Sequence, residues 1–113
     1  MKLQELINTL PLEVKTASSY LTKEVTGGYV SDLLSDVMAN SKEGNIWITL
    51  QTHRNIVAVA TLKDLSGIIV VNNRTPDPDT LEKAEEEGLP IMVSSLPAFE
   101  VVGRLYALGL RCR

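Results

Sequence analysis

Three short apolar runs constrain this chain more than anything else in it: Asn45-Ile46-Trp47-Ile48-Thr49-Leu50, Gly67-Ile68-Ile69-Val70-Val71 and Pro90-Ile91-Met92-Val93. Each stops at a small polar cluster, and each cluster opens a segment of helical periodicity. The clusters are Gln51-Thr52-His53-Arg54-Asn55, Asn72-Asn73-Arg74-Thr75 and Ser94-Ser95. Continuous β-branched runs alternating with helices read as parallel strands buried on both faces, so the fold class is α/β with a mostly parallel sheet. Parallel strands would place all three clusters on one rim, where open α/β sheets bind their ligands.

A chain of 113 residues is long enough for one domain with a real core. The reading is a single domain spanning 1–113, with no repeat, low-complexity tract or linker. Formal net charge is −3, and no Lys/Arg run occurs. Capture of nucleic acid or of an anionic membrane is disfavoured, because neutralising phosphates takes clustered cations. No stretch approaches the roughly 20 apolar residues of a membrane span. Met1 to Ile7 lacks a signal peptide's apolar core. The single cysteine, Cys112, permits no intrachain disulfide. A cytoplasmic location is expected.

The flanking segments fit the same plan. Leu3, Leu6, Ile7 and Leu10 form one helical face, which Pro11 ends. Leu12 to Ala17 alternates like a short strand. Val25 to Val30 is strand-like but carries Gly27-Gly28, which predicts a bulge or close backbone approach. Ser31 or Asp32 is expected to cap a helix over Leu33, Leu34, Val37 and Met38, stopped by Gly44. A helix over Asn55 to Lys63 follows the first run. Asp77 and Pro78 start the next helix, and Gly88 is its expected left-handed cap. Ser95 opens a last helix with Phe99, Val102, Tyr106 and Leu110 on one face. Trp47 and Tyr106 are both expected in the core.

The first candidate site is Thr52-His53-Arg54. At a strand end entering a helix, free backbone N–H groups and the positive helix end favour an anion. Arg54 adds a bidentate fork for phosphate or carboxylate, and His53 can donate or accept. Asn72-Asn73-Arg74 is the second: a tight left-handed loop, or two more amides and a guanidinium on the same rim. Thr26-Gly27-Gly28 is the third, where amides with no Cβ in the way would form an anion nest or simply a turn. No Gly-x-x-x-x-Gly-Lys-Ser/Thr loop is present. One His and one Cys far apart make no recognisable metal site, and no catalytic signature appears. No catalytic residue, metal or cofactor is therefore assigned.

From Lys2 to about Leu108 the chain resembles a stand-alone DRTGG domain. The likeness is carried by Gly67 to Asp77 (Gly-Ile-Ile-Val-Val-Asn-Asn-Arg-Thr-Pro-Asp), by Leu81 to Ile91, and by Glu24 to Asp32. The first thirty residues also resemble the opening of the N-terminal domain of bacterial HPr kinase/phosphorylase. Where many DRTGG members show Gly-Asp-Arg at the first rim turn, this chain has Thr52-His53-Arg54. Where many show Thr-Gly-Gly at the second, it has Asn72-Asn73-Arg74. The resemblance implies a three-layer α/β/α fold and a regulatory or dimerising role beside catalytic modules, such as phosphate acetyltransferases and CBS-containing pyrophosphatases. It implies no kinase activity, since the P-loop of HPr kinase lies in its other domain.

The expectation is a non-catalytic sensor, paired as a homodimer, binding a nucleotide or small anionic metabolite on the rim. The main alternative is a dimerisation or adaptor module without a small-molecule ligand, docking on a catalytic or signalling protein. A phosphotransfer-associated enzyme subunit using His53 ranks below both. A large exposed apolar patch and a rim without a cleft would favour the adaptor.

Overall fold

The structure, a computed structural model, describes residues 1–112. In chain order the elements are α1 (Leu3–Thr9), β1 (Leu12–Val14), a 3-10 turn (Ser18–Tyr20), β2 (Gly27–Val30), α2 (Leu34–Asn40), β3 (Asn45–Thr49), α3 (Asn55–Leu62), β4 (Gly67–Val70), α4 (Pro78–Glu86), β5 (Ile91–Ser94) and α5 (Ala98–Ala107). The strands form one five-stranded sheet in the order β1-β5-β4-β3-β2. β2 to β5 are parallel, and β1 closes the other edge antiparallel to β5.

This topology follows from handedness. The three parallel steps from β2 to β5 each move one strand over in the same direction. Right-handed crossovers then put α2, α3 and α4 on the same face of the sheet. The opposite face is left to the two ends of the chain, α1 and α5. The period-2 geometry of a strand sorts each apolar run between these faces. Trp47, Ile68, Val70 and Ile91 pack with Val37, Ile56, Val57 and Ala84. Ile46, Ile48, Ile69 and Met92 pack with Leu3, Leu6, Val101 and Leu105. Every residue of β3, β4 and β5 is buried, as two-sided coverage requires. The result is the expected three-layer α/β/α arrangement.

Several local readings need correction. β2 contains no bulge, because its register against β3 runs without a skip from Gly27↔Asn45 to Val30↔Ile48. A Cβ on Gly28 would come no nearer than 3.6 Å to Ile46, an ordinary contact. Neither Ser31 nor Asp32 caps α2, whose N-cap position is Leu33. Ser31 Oγ instead accepts from the Leu33 amide. Asp77 occupies the N-cap of α4 with Pro78 following, but its side chain makes no capping bond. Gly88 does adopt left-handed backbone (φ +65°), packed against Tyr20. The main misreading concerns α5. Its inward residues are Val101 and Leu105, whereas Phe99 and Tyr106 are 87% and 58% exposed. The apolar residues of α5 lie on two faces, and the face with the buried Leu105 docks on the sheet. Trp47, by contrast, is fully buried and donates its indole N–H to Ser31 O at 2.8 Å.

Candidate functional site

The carboxyl ends of β3, β4 and β5 share one rim, so Thr52-His53-Arg54, Asn72-Asn73-Arg74 and Ser94-Ser95 lie along one end of the sheet. The loops there are tied to one another. Thr52 O accepts from Asp77 N at 3.1 Å and from Thr80 Oγ1 at 2.7 Å. His53 Nδ1 accepts from Asn55 N at 3.2 Å, which occupies that ring nitrogen with the start of α3. Asn72 and Asn73 both take left-handed backbone, φ 58° and 53°, which asparagine tolerates. Asp32 joins the rim from the loop after β2. Its carboxylate accepts from Thr49 Oγ1 at 2.8 Å and from Leu50 N at 2.7 Å.

In open α/β sheets the ligand crevice opens where neighbouring strands send their following helices to opposite faces. Here that point is the gap between β4, which leads to α4, and β5, which leads to α5. The gap is closed by main chain, since Asn72 N donates to Leu96 O at 2.9 Å and Asn73 N to Ser94 O at 2.8 Å. His53, Arg54, Asn72, Asn73 and Arg74 are all exposed. Arg54 and Arg74 make no ion pair among the described residues. Arg54 borders a hollow of 330 Å³ between α3 and α4, together with Lys83. Asn73 borders a different hollow, of 350 Å³, beside β1 and β5. The rim thus offers two unpaired guanidinium groups, but its two arginine-bearing loops face separate shallow depressions.

Thr26-Gly27-Gly28 is not part of this rim. Gly27 lies opposite Asn45, the first residue of β3, so the segment sits at the amino end of the parallel strands. Two of its three amides are also committed: Thr26 N donates to Gly44 O and Gly28 N to Arg111 O, both at 3.0 Å. An anion nest needs converging free N–H groups, and here they have gone to carbonyls. At this end Lys23 Nζ donates to Gly88 O at 3.2 Å, and partial burial pushes its ammonium pKa down, opposed by Asp64. No cluster of three or more metal-ligating side chains forms among the described residues.

An apolar groove lies elsewhere, and of the site residues expected from the sequence only Gly28 lines it. This groove of 270 Å³ runs between edge strand β2, the outer side of α5 and the chain after α5. Its apolar walls include Val30, Ile48, Val102, Leu105, Tyr106 and Leu110. The segment after α5 lies along β2 through the Gly28 N to Arg111 O bond. Arg111 also stacks its guanidinium 3.7 Å from the Tyr106 ring centre and donates to Tyr106 O at 2.9 Å. Phe99, one turn before Val102 on α5, adds exposed apolar surface, and Val30 in the groove wall is itself 50% exposed. The sequence signal was available: α5 has too many apolar residues for a helix covered on one side only.

No family model matches this sequence, and neither does any curated protein. Among solved structures, the chain is similar to the CBS and DRTGG domains of the regulatory region of Clostridium perfringens pyrophosphatase, crystallised with its activator diadenosine tetraphosphate. The TM-score is 0.71 over 98% of this chain, at 19% identity. What the two share is the fold. The chain corresponds to 48% of the length of that regulatory region. The fold likeness accords with the DRTGG resemblance carried by Gly67 to Asp77, Leu81 to Ile91 and Glu24 to Asp32. No helix among the described residues is long and apolar enough to cross a membrane.

Proposed function

We propose that this domain is a non-catalytic regulatory module that works by docking to protein through the outer face of α5 and the adjoining edge of β2. The observation that carries this reading is the exposure of Phe99 and Tyr106 on α5, with Tyr106 lining an apolar groove against β2. Water-exposed aromatic surface rimmed by charge is the usual mark of a protein contact. A rim whose natural crevice is shut by main-chain bonds points the same way. The likeness of the first thirty residues to the N-terminal domain of HPr kinase/phosphorylase belongs to the same reading, as does a reducing, cytoplasmic setting for Cys112. The test is a photo-crosslinking residue placed at Tyr106 or at Arg74 in the full chain, in cells. Protein adducts from position 106 and none from 74 support the module; adducts only from 74 overturn it.

A second reading rests on the two unpaired arginines. The rim would take a nucleotide or small anionic metabolite, a possibility strengthened by the nucleotide activator of the pyrophosphatase region of like fold. A thermal-shift screen against nucleotides and central-metabolism acids tests it. A hit should lose about 1.5–3 kcal/mol of binding in Arg54→Ala or Arg74→Ala, as removal of a charge-assisted hydrogen bond does. A hit untouched by both variants excludes the rim.

A further inference from the structure

We infer that the open edge of β2 takes an extended segment of a partner protein as an added strand, with an apolar side chain in the groove against α5 and a carboxylate beside Arg111. This rests on the docking reading above and names the form and chemistry of the partner. Backbone groups choose an extended occupant. Ser31 N donates inward, to Ile48 O at 3.3 Å, whereas Gly28 N donates outward, to Arg111 O at 3.0 Å. Successive residues of a strand aim their amide and carbonyl at opposite sides, so Val30 turns both of its groups outward, as Gly28 does. No described residue pairs with those of Val30. The chain's own tail shows what satisfies such an edge. Past Gly109, with left-handed backbone at φ +107°, Leu110 is buried and Arg111 pairs with Gly28, which leaves the Val30 half of the edge open. The two sheet edges also differ. At the other edge β1 carries Glu13, ion-paired with Lys15, whereas Gly27-Gly28-Tyr29-Val30 has no charge. Charged side chains on an edge discourage strand addition.

Side chains set the chemistry of that strand. A guest residue directly across from Val30 points to the same face of the sheet as Val30 does. That face is the α5 side, where Val30 and Val102 wall the groove of 270 Å³. A cavity of about 150 Å³ already holds a benzene ring, so a large apolar side chain fits. Arg111 is the one charged residue lining the groove, and it makes no ion pair among the described residues. Its Nη1 donates to Tyr106 O and Leu110 O, which leaves other guanidinium N–H groups for a carboxylate. Main-chain bonds then supply affinity, and the apolar and acidic side chains supply selection.

Short random peptides displayed on phage and selected on the full chain test the proposal, with circular dichroism confirming that each variant is folded. The selected peptides are expected to share an apolar residue near an acidic one and to slow hydrogen exchange of the Val30 amide. Arg111→Glu should weaken them about tenfold or more, as loss of a charge-assisted bond does. Exchanging the peptide's acidic residue for lysine should restore binding to that variant. Val30→Pro removes an outward N–H at a sheet edge, where proline is tolerated, and should abolish binding that Val30→Ala largely keeps. Peptides that bind without protecting the Val30 amide overturn strand addition. Peptides free of acidic residues and held equally by Arg111→Glu overturn the carboxylate. Selection that enriches no peptide overturns an extended partner, while protein adducts from position 106 would still uphold the docking module. A chain that dimerises with its own Val30 amide protected assigns the edge to a second copy and overturns the proposal.

Discussion

At the end of β3 one carboxylate does what a helix cap was expected to do elsewhere. Asp32 bridges from the loop after β2 to Thr49 Oγ1 and Leu50 N, so it fastens edge strand β2 to the interior of the sheet. Thr49 is 1% exposed, so losing its partner leaves a buried hydroxyl to be satisfied in some other way. Asp32→Ala should cost about 1.5–3 kcal/mol in urea denaturation, as hydrogen bonds to a charged group do, and Asp32→Asn clearly less. A second carboxylate carries the pH dependence. Asp36 accepts from Asn40 Nδ2 at 2.9 Å and from Tyr29 Oη at 2.8 Å. Hydrogen bonds from Asn40, Ser31 and Tyr29 hold its carboxyl below the ordinary carboxylate value. The folded state therefore favours ionised Asp36. This stabilisation is complete above the unfolded carboxylate range near pH 4 and drains away as pH falls through the lower folded value. Asp36→Asn should flatten the acid limb of the stability profile. Tyr29 moves oppositely: donating to Asp36 raises its phenol pKa, so its contribution holds below about pH 10 and is lost on ionisation at higher pH.

Among the elements, α4 and α5 show how glycine position decides the sign of a substitution. Gly88 ends α4 at φ +65°, and a Cβ there would stand 3.0 Å from Tyr20 Cζ. Gly88→Ala should destabilise by about 1–2 kcal/mol for left-handed backbone alone, with further loss from displacing the ring. Gly103, in the interior of α5, meets nothing and has ordinary helical backbone. In dilute solution Gly103→Ala should stabilise by up to about 1 kcal/mol, since alanine loses less backbone entropy. Equal effects at the two sites, read from denaturation midpoints, would contradict this account. The element boundaries themselves were largely legible. Pro11, Pro78 and Gly88 punctuate as expected, because proline and glycine act through local backbone geometry, whereas α2 ends at Asn40 with Ser41 as its C-cap, short of Gly44.

Over the whole molecule, stability concentrates at the centre of the sheet. β3 and β4 are buried along their full length and covered by helices on both faces, while β1 and β2 are partly exposed edges. Native-state hydrogen exchange should give the highest opening free energies for amides of Ile46 to Thr49 and Ile68 to Val70. Amides of β1 should exchange first. Equal protection of edge and centre would count against this gradient. The rim's candidate residues sit outside it, on exposed loops held by main-chain bonds.

The sequence alone determined what depends on neighbours along the chain. Strand runs, helix stops and the alternation that makes a parallel sheet are local or periodic properties, and they made the α/β fold and the shared rim of Thr52-His53-Arg54 and Asn72-Asn73-Arg74 legible. Three matters waited for the tertiary structure, each because it depends on which distant segments meet. Gly27-Gly28 proved to lie at the far end of the sheet, since a parallel strand's direction is known only once its partner is. The crevice between β4 and β5 was found shut, because carbonyls of the β5–α5 segment take the Asn72 and Asn73 amides. Finally, α5 offered two apolar faces of similar character, and only docking on the sheet chose which to bury, leaving Phe99 and Tyr106 to face outward.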